Sequence, residues 1–198
     1  AEGLAAINKN GKWGYINLDG DMAIAPGFEF AGNFSEGHAL FKSNGKTGLI
    51  DTTGKIVLPA RFDIMGSLSQ GLAPAKLRGQ WGYVDKTGKE VIPFQFDEAF
   101  GFTEDMALVR DGLYYGFVGL NGEMLIKPDY EYAWSFSEGL AAVKKDNAWH
   151  YIDKQGNTVG PHWFHWAFPF RNGLGYVETD GGIGYATHEG EFAWGPAR

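Results

Sequence analysis

A tetrapeptide of the form Glu-Gly-Leu-Ala returns every 34 residues along this chain, beginning at Glu2, Glu36, Gln70, Glu104, Glu138 and Asn172. A second marker, the last glycine of a short turn, keeps the same step at Gly20, Gly54, Gly88, Gly122, Gly156 and Gly190. Two markers that stay in phase over the whole length leave no insertion or deletion between copies. A fixed period of this size is the mark of a repeat architecture, in which each unit buries its apolar face against its neighbours. The units run near 2–35, 36–69, 70–103, 104–137, 138–171 and 172–198, and are read together as one repeat domain, 1–198.

The third copy shows the content of a unit. Leu72–Leu77 is a short apolar strand, and Arg78-Gly79 is a two-residue turn whose counterparts are Asn10-Gly11, Asn44-Gly45, Asp146-Asn147 and Asp180-Gly181. Such pairs accept the positive φ of a type I′ hairpin. A second strand over Trp81–Asp85 alternates with period two. Asp85-Lys86-Thr87-Gly88 reads as a type I turn closed by a left-handed glycine. A third strand, Glu90–Ile92, is expected to stop at Pro93, which cannot donate to an inner ladder. About ten residues then link to the next unit, with room for one helical turn at most. In the fourth copy Asp111-Gly112 sits one residue early, which predicts a bulged turn.

Trp81 and Tyr83 fall on one face of the second strand, with Gly82 and Val84 on the other. The aromatic face is Trp13/Tyr15, Thr47/Leu49, Tyr115/Phe117, Trp149/Tyr151 and Ile183/Tyr185 in the other copies. A ladder of rings could stack bases or sugars. Leu49 and Ile183 argue instead for a core between units, because an aliphatic chain fills space but offers no flat platform. Glycine on the reverse face lets a neighbouring strand come close.

The segments Lys12–Ile16 (KWGYI) and Gln80–Asp85 (QWGYVD), the recurring Phe-Ser-Glu-Gly-x-Ala at Phe34–Ala39 and Phe136–Ala141, and the link Phe96–Ala99 resemble the WG repeat family along essentially the whole chain. The departures are Thr47 and Tyr115 at the tryptophan position, His150 at the glycine position, and the divergent stretch after Gly160. The resemblance implies bacterial, soluble β-repeat modules, often propeller-like, that bind or scaffold without a common catalytic site. The fold expected is therefore all-β, with six three-stranded repeats. A β-propeller is favoured because radial repetition blunts sheet edges; an open β-hairpin solenoid is the alternative.

A formal charge of −7 excludes a general nucleic-acid surface, and no basic stripe faces anionic lipid. The absence of cysteine removes disulfides and thiolate metal sites. No apolar run approaches the ~18 residues that span a bilayer, so no membrane insertion is expected. The start Ala1-Glu2-Gly3, without methionine, fits a mature end left by signal cleavage or a chosen boundary, and inclines the reading towards an exported protein.

Two sets of residues carry what chemistry can be read. Glu29, Asp63, Asp97 and Glu131, followed by His165, occupy one link position in successive copies. In a closed ring they would circle one axis as a cation or acid–base site, whereas in any arrangement each can cap backbone amides nearby. The second set is where the fifth copy loses its likeness to the others, Gly160–Arg171 (GPHWFHWAFPFR). His162, Trp163, His165, Trp166 and Arg171 suit an aromatic cleft with a cation for an anion. Two or three histidines, counting His150, without a fixed carboxylate or cysteine make a poor zinc signature. A local rearrangement of the core explains the same residues. No nucleophile elbow, triad or phosphate loop is present: Gly181-Gly182-x-Gly184 is a hairpin turn. The expectation is a non-enzymatic module, without cofactor or metal, recognising a protein or peptide through its loop face. The alternatives are a lectin-like or small-ligand binder, its partner a glycan, using 160–171, and a metal-dependent enzyme built on the acidic positions.

Overall fold

The computed structural model describes residues 1–195; the last three residues of the sixth unit lie outside them. Among the described residues there is no helix, hence none long and apolar enough to cross a membrane. The strands form six antiparallel sheets. The chain separates into two compact units, Ala1–Gly101 and Phe102–Arg198.

The first unit holds a three-stranded sheet (Ala5–Lys9, Lys12–Ile16, Met22–Phe28) and two four-stranded ones. These are Phe30–Ala31, His38–Ser43, Lys46–Asp51, Ile56–Phe62 and Ile64–Met65, Leu72–Leu77, Gln80–Asp85, Glu90–Phe96. The second unit repeats the pattern with Met106–Asp111, Tyr114–Gly119, Met124–Tyr130; then Tyr132–Ala133, Ala141–Lys145, Ala148–Ile152, Thr158–Phe164; then Trp166–Ala167, Gly175–Thr179, Gly182–Ala186, Phe192–Trp194. The three-stranded repeat thus gains a fourth, two-residue strand from the link before it. No helical turn forms there, because the link's amides pair with the next hairpin instead: Gly66 N–H donates to the Pro74 carbonyl at 2.8 Å.

The third strand does not stop at proline. Trp81 faces Phe96 and Tyr83 faces Ile92, so two residues on one strand span four on the other. Pro93 lies within this bulge on the outermost strand of its sheet, where a missing N–H leaves no ladder bond unmade. The bulge presses on Gly82, where a Cβ would lie 2.7 Å from the Ile92 carbonyl oxygen and 2.8 Å from the Pro93 carbonyl carbon. Gly14, Gly48 and Gly116 meet the same backbone at 2.5, 2.3 and 2.6 Å. The fourth copy's turn is not bulged either: Asp111 pairs with Tyr114 in unbroken register, and Gly112 supplies the single positive φ at the first central position.

Both faces of the central strand are covered. Tyr15, Leu49, Tyr83, Phe117 and Tyr151 are buried, as are Ile50, Val84, Val118 and Ile152 on the reverse face. This places the ring positions of five copies in the core, each filled ring contributing roughly 1.5–3 kcal/mol, whereas in the sixth copy Ile183 and Tyr185 are 49 and 37% exposed. Where the buried ring is tyrosine, its hydroxyl donates to a carbonyl of its own link: Tyr15 to Gly32 at 2.7 Å, Tyr83 to Phe100 at 2.8 Å and Tyr151 to Phe168 at 2.9 Å. A buried hydroxyl is thereby satisfied and the link is tied to the strand.

The Glu-Gly pairs are more than turn residues. Glu36 holds a φ of 52° and Gly37 one of 74°, the two positive values of a type I′ turn. The Glu36 carboxylate then accepts the Gln70 and Gly71 amides of the next copy's turn, at 2.6 and 2.9 Å. Glu138 does the same with Asn172 and Gly173, at 2.6 and 2.8 Å. Within each compact unit the glutamate of one copy therefore clasps the turn of the following copy. Glu36→Asn is expected to lower stability by about 1 kcal/mol in chemical denaturation, the worth of charge-assisted bonds at an exposed site. Asparagine accepts positive φ better than glutamate but is too short to clasp, so an unchanged or raised midpoint would leave Glu36 with a turn role alone.

Candidate ligand-binding surface

Three of the four carboxylates of the link position are held by backbone and side-chain donors of separate turns. Glu29 accepts the amides of Asn44 and Gly45 at 2.8 and 3.2 Å, which, led by Gly45, hold its carboxyl below the usual range. Asp63 accepts the Arg78 amide at 3.0 Å and the Lys46 ammonium at 2.5 Å, and Lys46 foremost lowers its pKa. Glu131 accepts the Asn147 amide at 3.2 Å. Asp97 lies between Glu90–Phe96 and Glu98–Ala99 in the first unit. Among the described residues no group of three His, Asp or Glu side chains is disposed to hold a metal.

The residues of 160–171 spread over several environments. The His162 ring lies against Phe192, with centroids 4.8 Å apart, and its Nε2 is 3.5 Å from Glu191. Trp163, on the opposite face, covers His150 at 4.3 Å between centroids. His165 sits where the strand breaks: its amide donates to the Glu178 carbonyl at 2.8 Å and its Nε2 is 3.3 Å from Asp180. Trp166 packs on Trp149 at 5.1 Å and beside Phe168 at 6.1 Å. Arg171 lines a cavity together with that same Phe168. The structure thus brings Trp166 and Arg171 to one neighbourhood around Phe168 and sends the three other residues elsewhere, as the alternation of a strand requires.

His150 is 3% exposed and its Nδ1 has no hydrogen-bond partner; burial, assisted by Lys145, pushes its pKa down to about 4. Its place in the other copies is glycine, and the neighbouring strand has moved to admit it. Tyr151 pairs with Val159 and Trp149 with Phe164, so five residues now span the bulge that elsewhere takes four. Gly160, at a φ of 76°, stands where Ile92 stands in the third copy. The lost isoleucine lets the Gly190 turn approach, a Cβ on Gly160 lying 2.6 Å from the Gly190 Cα. Part of the fifth copy's divergence is therefore repacking around one histidine.

The rest of the divergence reaches the surface. On two links of the second unit, Tyr132, Trp134, Trp166 and Phe168 are 58, 38, 40 and 37% exposed. The corresponding residues of the first unit are Phe30, Gly32, Ile64 and Gly66. A side chain at Gly66 would meet Pro74 Cγ at 2.7 Å; at Trp134 the residue in the place of Pro74 is Ala142, small enough to admit an indole. Trp134 stacks on Phe168 with planes 22° apart and centroids 6.2 Å apart, and Tyr176 meets Phe168 edge to face at 5.4 Å.

Beside these rings opens a cavity of about 610 Å³ lined by Ser137, Phe168, Pro169, Phe170, Arg171, Tyr176 and Glu178. The Tyr176 hydroxyl donates to the Glu178 carboxylate at 3.2 Å; burial foremost, and then Glu178, raises the phenol's pKa. Ser137 is committed to the Phe170 carbonyl at 2.8 Å. The cavity joins flat apolar faces to one cation and one carboxylate. Trp134, Phe168, Tyr176 and Glu178 were not singled out by sequence reasoning. A signal for two of them exists in the third link position, which runs Gly32, Gly66, Phe100, Trp134, Phe168 through the copies.

No curated protein matches the chain. Among solved structures it is similar to a eukaryotic initiation factor, with a TM-score of 0.64 and 14% identity over 94% of this chain and 61% of that one. It is similar to dihydro-heme d1 dehydrogenase NirN in complex with DHE, with a TM-score of 0.56 and 15% identity over 99% of this chain and 53% of that one. A third likeness is to Kluyveromyces lactis Hsv2 with loop 6CD replaced by a Gly-Ser linker, with a TM-score of 0.51 and 10% identity over 79% of this chain and 61% of that one. The chain thus spans between about half and three fifths of these structures. Hsv2 and NirN are propeller-like folds, and at such identities the likeness speaks for the fold alone. The sequence profile of the WG containing repeat matches residues 1–13, 13–46, 48–81, 81–112, 115–149 and 151–182. Matched in six copies from residue 1 to residue 182, the chain belongs to the WG containing repeat family.

Proposed function

We propose that this repeat protein is a non-enzymatic carbohydrate-binding module whose recognition surface is the aromatic face of the second unit. The observation that carries the reading is the stacked, half-exposed pair Trp134 and Phe168, the second of which lines the 610 Å³ cavity. A sugar ring presents an apolar C–H face and a polar edge. Aromatic faces take the first, and a few placed polar groups orient the second. A protein partner also favours exposed tryptophan and tyrosine. The cavity tips the balance, since its volume of about 610 Å³ and its lining of rings beside charged side chains match a small amphipathic unit. Among the described residues the lining holds a single carboxylate, Glu178, whereas glycoside hydrolysis ordinarily uses two across the scissile bond, which supports a reading of binding without catalysis.

Affinity electrophoresis in gels containing xylan, soluble cellulose, glycol chitin or polygalacturonate tests the reading. At least one polymer is expected to retard the protein, and Trp134→Ala with Phe168→Ala is expected to abolish the retardation while the melting temperature stays within a few degrees. A folded protein unretarded by all four polymers overturns the reading and returns the aromatic face to the peptide partner expected from the sequence.

A further inference from the structure

Arg171 is the part of this cavity that the aromatic surface does not explain. Its backbone is fixed by a tight turn, with its amide donating to the Leu174 carbonyl at 2.9 Å and its carbonyl accepting the Leu174 amide at 3.3 Å. Its guanidinium makes no ion pair or hydrogen bond among the described residues. Arginine carries five donors in a planar fork, and one left unpaired beside a carboxylate is unusual. Glu178 faces the same cavity, yet its oxygen takes the Tyr176 hydroxyl and not the guanidinium. The cavity therefore presents three separate functions: a ring face at Phe168, a free cation at Arg171 and an acceptor at Glu178.

A neutral sugar uses the first and the third and leaves the cation idle. A sugar bearing a carboxylate uses all three. Resting on the carbohydrate reading above, we infer that Arg171 makes this cavity selective for uronic acids, with the sugar's carboxylate on the guanidinium, its C–H face on Phe168 and a hydroxyl donating to Glu178. The fork matches a carboxylate in a bidentate manner, which an ammonium cannot reproduce. The formal charge of −7 sharpens the inference, because the protein as a whole does not attract polyanions and retention must come from a local contact.

Calorimetric titration with trigalacturonate and with its methyl ester separates the carboxylate from the rest of the sugar. The acid is expected to bind about tenfold or more tightly than the ester, the worth of one charge-assisted, bidentate contact. Arg171→Gln is expected to erase that preference by bringing the acid down to the ester's affinity, whereas Phe168→Ala weakens both ligands alike. The Arg171 side chain is exposed, so the fold of the variant is checked by circular dichroism and its melting temperature. Equal binding of acid and ester by the unaltered protein, or a preference that survives in Arg171→Gln, overturns the inference. Failure to bind the acid while xylan, cellulose or chitin still retards the protein overturns uronate selectivity alone. Failure with all of them removes the carbohydrate reading as well.

Discussion

Gly82→Ala is expected to destabilise the protein by about 3 kcal/mol or more, although it adds one methyl group to a β-strand. Alanine at a strand interior is ordinarily an improvement on glycine, by roughly 0.5–1 kcal/mol. Here the new Cβ would stand 2.7 Å from the Ile92 carbonyl oxygen, and backbone cannot swing aside as a side chain does. The bulge must open, and it carries the pairing of Trp81 with Phe96 and the seat of Ile92, which is fully buried. Gly27→Ala is the control, since the nearest atom to its Cβ is 4.0 Å away and its change is expected within about 0.5 kcal/mol. Urea denaturation of both variants measures the difference. Similar midpoints would mean that the glycine of the WG pair is not there for close approach.

The second large effect is acid lability centred on His150. Its native pKa of about 4 lies below the 6.5 of a free imidazole, so the unfolded chain binds the proton more tightly. Stability from this site is complete above about pH 6.5 and falls as pH drops towards 4, because protons pull the equilibrium to the unfolded state. The whole shift is worth about 3 kcal/mol, with loss of ~1.4 kcal/mol per pH unit across the window. Carboxylates held below their usual range, such as Asp85 with Thr87 foremost among its donors, act in the same direction at lower pH. The His150→Phe variant keeps a ring against Trp163 and removes the titrating nitrogen with its unpartnered Nδ1. It is expected to match or exceed the parent at pH 7 and to keep its urea midpoint nearly level from pH 6.5 to 4.5. A parallel decline in both proteins would place the acid sensitivity elsewhere.

Both effects begin at the same position of the repeat, glycine in most copies and histidine in the fifth, and they show what could be read before any coordinates. The 34-residue period, the positive-φ turns and the burial of the ring positions all follow from spacing and residue type. Proline misled at the third strand, since it forbids a place inside a ladder but not one in an outer bulge. The Glu-Gly pair was legible as a turn and not as a clasp, because its partners, Gln70 and Gly71, belong to the next copy. For the candidate site, comparing copies pointed to 160–171, and Trp166 and Arg171 do meet around Phe168. Trp134, Tyr176 and Glu178 come from other strands, and no local pattern announces that they converge.

What the sequence by itself determined is whatever depends on neighbours along the chain: φ at the turns, alternation on the strands, and a repeat whose apolar faces must meet. What only the tertiary structure decided is whatever depends on distance between copies. The third strand of the fifth copy shifts by a residue to house His150, and the next turn closes on Gly160. Trp134 finds Ala142 where the third copy has Pro74, and so stacks on Phe168, which lines the cavity. Close packing sets these outcomes, since a protein interior leaves no free volume in which a single exchanged side chain can go unanswered.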